Sequence, residues 1–85
     1  MPKVEIYVKS TCSYCLRVKR LLVGKGIEYE AHAVDFDRDK RQEMIQRANG
    51  RTTVPQIFID GQHVGGCDEL FRLERDGGLD RLLAA

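Results

Sequence analysis

Cys12 and Cys15 stand in the stretch STCSYCLR with two residues between them, a spacing that serves metal ligation, a structural disulfide or thiol-disulfide exchange. A tetrahedral metal site on one such pair needs two more ligands. The remaining candidates, Cys67, His32 and His63, fall at irregular and distant positions, so the spacing of a zinc site is absent and no metal is expected. A structural staple is disfavoured by the odd count of 3 cysteines and by a reducing compartment. Exchange has a reason at each position. Cys12 precedes a helix-like run, where unpaired N–H groups and the positive end of the helix dipole favour an anion, which makes it the nucleophile. Cys15 lies about one turn later, within reach of the same sulfur, and is the resolving thiol. Lys9 and Thr11 add a cation and a hydroxyl nearby, although either also reads as plain solvated surface.

The elements that must hold this pair follow from periodicity. In KVEIYV, residues 3–8, Val4, Ile6 and Val8 alternate as in a strand. Cys15, Val18, Leu21 and Leu22 share a helical face, and Gly24 and Gly26 supply the stop. A second strand is expected over 28–34 and a helix over 38–48, with Asp35 and Asp37 offering N-terminal acceptors, Met44, Ile45 and Ala48 forming the apolar stripe, Glu43 and Arg47 able to pair, and Asn49-Gly50 closing it. QIFID and QHV flank an Asp60-Gly61 turn and read as a hairpin. Gly65-Gly66 then opens a helix carrying Leu70 and Leu73, and Gly77-Gly78 separates a short last one. A βαβ unit followed by a hairpin and a helix implies a mixed sheet with helices on both faces.

The bulk numbers narrow the function. The 85 residues fit a single domain, 1–85. With 42% hydrophobic and 32% charged residues the chain can bury a core, and a formal charge of +1 gives no field that would argue for nucleic acid or an anionic membrane. MPKVEIYV has no apolar segment of signal-peptide type and no run approaches a membrane span, so a cytoplasmic location is expected.

CSYC at 12–15, TVP at 53–55 and GGCDEL at 65–70 together resemble the small dithiol members of the glutaredoxin family, over essentially the whole chain. The resemblance implies an α/β, thioredoxin-like fold, a four-stranded mixed sheet in the order 2-1-3-4 with helices on both faces. It implies a cis peptide at Pro55, facing the cysteines, with Thr53 and Val54 beside it and the Val54 main chain able to pair with a substrate as an added strand. Glutathione is the implied co-substrate, with no permanently bound cofactor. Gly66, Cys67 and Asp68 would take its γ-glutamyl end, the Asp68 carboxylate meeting the ammonium; alternatively Asp68 only caps the helix and Cys67 is a small buried hydrophobe. Lys9 would meet the glycyl carboxylate and Tyr14 would pack beside the bound sulfur.

The implied activity is that of a monomeric glutathione-disulfide oxidoreductase acting on glutathionylated and disulfide-containing proteins, at a family potential of roughly −200 to −230 mV. The family's dithiol motif is usually CPYC. Ser13 stands here in place of the proline and restores an N–H and some freedom to the first helical turn. Some glutaredoxins with serine at this point hold a [2Fe-2S] cluster between two protomers with two glutathiones, which gives an alternative reading as a cluster-binding dimer or carrier.

Overall fold

The computed structural model describes residues 2–84. Its elements are β1 (Val4–Val8), α1 (Ser13–Gly24), β2 (Glu30–Ala33), α2 (Arg38–Arg47), β3 (Gln56–Ile59), β4 (Gln62–Gly65), α3 (Cys67–Arg75) and α4 (Gly78–Ala84). The four strands form one sheet in the order β2-β1-β3-β4. β1 pairs parallel with β2 across the α1 crossover and antiparallel with β3, which continues into β4. The mixed sheet is the one expected from the order of elements, and its strand order is the one the family resemblance implies. The hairpin closes through Asp60 (φ 51) and Gly61 (φ 80), the positive-φ pair that matches strand twist.

β1 departs from simple alternation, because all five of its residues are buried. It is a central strand covered on both faces, and its two side-chain sets enter two cores. Val4, Ile6 and Val8 pack with Ile57 and Ile59 against Cys15, Val18 and Leu22 of α1, Leu70 of α3 and Leu79 of α4. On the opposite face Tyr7 packs with Phe58 against Val34, Met44 and Ala48, the α2 side. Each fully buried Leu or Ile here contributes about 1.5–3 kcal/mol, so the two layers hold the sheet rigid beneath the cysteine pair.

Three local expectations are corrected. The second strand is shorter than 28–34, spanning Glu30–Ala33 at the sheet edge. Asp37 alone caps α2, accepting the N–H of Lys40 at 3.0 Å. Asp35 instead accepts from the N–H and Oγ of Ser10. Arg47 does not pair with Glu43: it reaches across to Glu5 of β1 in a bidentate contact at 3.0 and 3.1 Å, and Glu43 accepts from the Tyr7 hydroxyl. Glu5 is turned to the α2 side of a mostly buried strand, and for Arg47 the bidentate carboxylate in the sheet wins over its helical neighbour.

Candidate active site

Cys12 is the N-cap of α1, with extended backbone (φ −140, ψ 109), and its Sγ accepts the backbone N–H of Cys15 at 3.2 Å. The helix therefore presents a free N–H to the sulfur, as its sequence position predicted. Cys12 is half-buried, whereas Cys15 and Cys67 are buried, and all three thiols are free. Burial, reinforced by the neighbouring Cys12 sulfur, pushes the Cys15 thiol up to about 12. Burial also pushes Cys67 upward. The pair is unequal: one accessible sulfur at a helix N-terminus and one buried thiol held in its protonated form directly behind it.

Tyr14, Thr53, Val54, Pro55, Gly66, Cys67 and Asp68 line one pocket of about 250 Å³ beside the CSYC turn. The Val54-Pro55 peptide is cis. Lys9 is not in this pocket; it borders the neighbouring groove on the other flank of Cys12, with Ser10, Ser13, Leu16 and Lys19. Cys12 itself lines that groove, its neighbour Tyr14 lines the pocket, and both Cys12 and Val54 pack against the α1/α3 core. The pocket floor depends on glycine. Gly65 has φ +125, and a Cβ there would lie 2.7 Å from the Glu69 carboxylate, while a Cβ on Gly66 would lie 3.2 Å from the Pro55 carbonyl oxygen.

Asp68 does not cap α3. The N-cap is Gly66, and Glu69 supplies the capping carboxylate, accepting the Gly66 N–H at 2.6 Å and pairing with Arg51 at 2.8 Å. That leaves the exposed Asp68 carboxylate free of ion pairs among the described residues. Arg51 and Glu69 both line the pocket and neither was singled out from the sequence. The Gly66-x-x-Glu69 spacing at a helix start is the signal that would have found Glu69.

Two further contacts hold the loops that carry the site. Ser10 donates to Asp35 through its N–H at 3.0 Å and its hydroxyl at 2.6 Å, which ties the segment entering Cys12 to the loop after β2 and holds the Asp35 carboxyl below its ordinary value. Fully buried Gln56 donates its amide to the Thr53 carbonyl at 2.9 Å, and its oxygen accepts from His63 Nε2 at 2.7 Å. Burial holds His63 below its ordinary value, in keeping with a neutral ring donating to Gln56. The Thr53-Val54-Pro55 segment is therefore anchored to β3 and β4 from beneath, while among the described residues the Val54 N–H and C=O take part in no backbone hydrogen bond.

Among the described residues no group of three or more His, Cys, Asp or Glu side chains is gathered where it could hold a metal ion. Toward a [2Fe-2S] cluster one chain offers a single accessible cysteine sulfur, Cys12, with Cys15 and Cys67 buried and pushed toward the thiol form. The donor set does not by itself fit a cluster, and its remaining ligands would have to come from outside the chain.

Residues 4–64 match the family model described as Glutaredoxin. Over 83 residues the chain is 58% identical to Glutaredoxin 3 of Escherichia coli strain K12, covering 98% of this chain and 99% of that one. Among solved structures, the solution structure of glutaredoxin from Brucella melitensis aligns with a TM-score of 0.82 and 48% identity, over 95% of this chain and 87% of that one. The crystal structure of a buckwheat glutaredoxin-glutathione complex aligns with a TM-score of 0.87 and 35% identity, over 98% and 77% of the two chains. The fold is thioredoxin-like, the thiol chemistry is disulfide exchange, and the chain belongs to the glutaredoxin family.

Proposed function

We propose that this glutathione-dependent thiol-disulfide oxidoreductase reduces glutathione mixed disulfides through Cys12 alone and protein disulfides through Cys12 and Cys15. In the first route the Cys12 thiolate attacks the glutathione sulfur of the mixed disulfide. That S–S bond breaks, the substrate leaves as a thiolate that takes a proton, and Cys12 carries glutathione in a new disulfide. A second glutathione thiolate attacks the bound glutathione sulfur, glutathione disulfide departs, and Cys12 returns as thiolate. In the second route Cys12 opens a protein disulfide and Cys15 attacks the Cys12 sulfur, passing its proton to the departing protein thiolate. Two glutathiones then reduce the Cys12-Cys15 bond and leave as their disulfide.

The observation that carries this reading is the pocket that gathers Tyr14, Thr53, Val54, Pro55, Gly66, Cys67 and Asp68 beside the accessible thiol. Glutathione would lie extended along Val54, whose unpaired main chain suits an added strand. Its γ-glutamyl carboxylate would meet the N–H groups at the start of α3, and its ammonium would meet Asp68. Lys9, in the groove across Cys12, would take the glycyl carboxylate. A monomer in the cytoplasm, where thiols stay reduced, fits the three free cysteines. The crystal complex of the buckwheat relative with glutathione supports the ligand.

The test is an exchange assay on two variants. Cys12→Ser should abolish all turnover, and Cys15→Ser should keep deglutathionylation while losing protein disulfide reduction. Loss of both activities in Cys15→Ser would overturn the single-cysteine route.

A further inference from the structure

Beside the glutathione pocket, and sharing Cys67 and Asp68 with it, a second groove of about 250 Å³ runs between α1 and α3, lined also by Arg17, Phe71, Arg72 and Arg75. Three guanidinium groups meet one carboxylate there. Elsewhere Lys25, Arg47 and Arg51 are paired with Glu74, Glu5 and Glu69, but among the described residues no carboxylate lies within ion-pair distance of these three arginines. The last turn of α3 favours cations, which accounts for Arg72 and Arg75 on their own helix. It does not account for Arg17, which comes from α1 and completes the patch from the other wall. The Arg17 guanidinium lies over two rings, 5.9 Å from the centre of Tyr14 and 5.3 Å from that of Phe71. That stacking holds the cation in place before any partner arrives, so less side-chain entropy is lost on pairing. Tyr14 belongs to the CSYC turn and is 53% exposed, so through Arg17 the groove is joined to the turn that carries Cys12.

We propose that this α1/α3 groove docks an acidic stretch of polypeptide flanking the substrate cysteine, its carboxylates meeting Arg17, Arg72 and Arg75 while the disulfide that cysteine forms is presented to Cys12. The inference rests on the thiol-exchange reading above and adds a substrate preference to it. Small glutathione disulfides meet only the Cys67-Asp68 edge that the groove shares with the pocket, and do not extend to Arg72 and Arg75. Acidic protein segments gain both a steered approach and a register across the active site.

The experiment uses three peptides, each carrying one cysteine as its glutathione mixed disulfide, flanked by Glu, by Gln or by Lys. The cysteine-glutathione mixed disulfide serves as the small substrate. Rates are compared for the parent protein, for Arg72→Glu with Arg75→Glu, and for Arg72→Lys with Arg75→Lys. The parent should prefer the Glu peptide over the Gln peptide by roughly fivefold in kcat/KM, and the preference should shrink as salt is raised. It should vanish or invert in the double Glu variant and persist in the double Lys variant, with the small disulfide turned over equally by all three proteins. Equal kcat/KM for the three peptides in the parent, or a preference that survives charge reversal, overturns the docking surface. Tighter binding of a single-stranded oligonucleotide than of the Glu peptide overturns the acidic polypeptide as its occupant. Failure of the parent on the small disulfide would instead strike the glutathione reading, so the two failures are told apart.

Discussion

The backbone N–H of Cys15 points at the Sγ of Cys12, 3.2 Å away, while the Cys15 side chain is buried behind it and its thiol is pushed up to about 12 by that burial. One residue thereby does two things: its amide supports charge on its neighbour, and its own sulfur is kept from ionising. A brief pulse of iodoacetamide near neutral pH should therefore alkylate Cys12 alone in the folded, reduced protein. Peptide mass mapping after the pulse reads this directly, and prompt labelling of Cys15 or Cys67 would contradict the asymmetry. In denaturant all three should label at similar rates.

Ser13 is the first residue of α1 and is exposed, a position where proline's missing N–H costs no helical bond. Ser13→Pro should be accepted without loss of stability. It stiffens the turn and removes one N–H from the helix end that faces the Cys12 sulfur, so the Cys12-Cys15 couple should shift by about 30 mV or less, a tenfold change in equilibrium constant at most. Redox titration against glutathione measures the shift. An unchanged potential together with unchanged exchange rates would remove Ser13 from any account of poise.

Gln56 is the hidden support of the pocket wall, joining Thr53 above it to His63 beside it. Gln56→Leu fills the space but leaves the His63 N–H and the Thr53 carbonyl without their partner, at a cost of about 1–3 kcal/mol. It also releases the segment on which glutathione is proposed to lie, so KM for glutathione should rise several-fold. Thermal unfolding and steady-state kinetics check the two effects separately. Lower stability with an unchanged KM would reduce Gln56 to a packing residue.

The α/β order, the hairpin and the cysteine pair were legible because each is a local pattern: a period, an Asp-Gly turn, a CxxC ahead of a helix. Burial of β1 on both faces was not, since Glu5 and Tyr7 look like the polar side of a two-faced strand until α2 is laid over them. The same long-range packing redirected Arg47 from Glu43 to Glu5, 42 residues away. In the site, motif residues were found and their supports were missed. Arg51 acts through Glu69, 18 residues on, and Gln56 through Thr53 and through His63 across the hairpin, and a lone Gln or Arg carries no periodic signal. Glu69 sat inside a quoted motif, and its capping spacing alone would have marked it as the carboxylate that frees Asp68.

The cluster on the α2 face should govern acid stability without touching catalysis. Arg47 grips Glu5 with both guanidinium nitrogens, lies 4.2 Å over the Phe58 ring and donates to the Tyr7 hydroxyl at 2.7 Å. The Arg47 hydrogen bonds are the main reason the Glu5 carboxyl sits below its ordinary value of 4.5 in the folded chain. A depressed carboxyl stabilises the fold fully above its unfolded value and loses that contribution as pH falls through the lower folded value. Tyr7 behaves oppositely: burial raises its hydroxyl from 10.0 to about 12, so its share is present below 10.0 and is lost as pH rises toward 12. Glu5→Gln should therefore cost about 1.5–3 kcal/mol in urea unfolding near neutral pH, the worth of a hydrogen bond to a charged group. The gap between variant and parent should begin to close as pH falls below 4.5, where the unfolded chain takes up its proton, and should close fully only below the lower folded value, where the parent's own Glu5 is protonated. A gap that stayed constant with pH would mean that shape, not charge, holds Arg47. Turnover of the small mixed disulfide by Glu5→Gln should match the parent at neutral pH, because the sheet separates this cluster from Cys12, which packs against the opposite core.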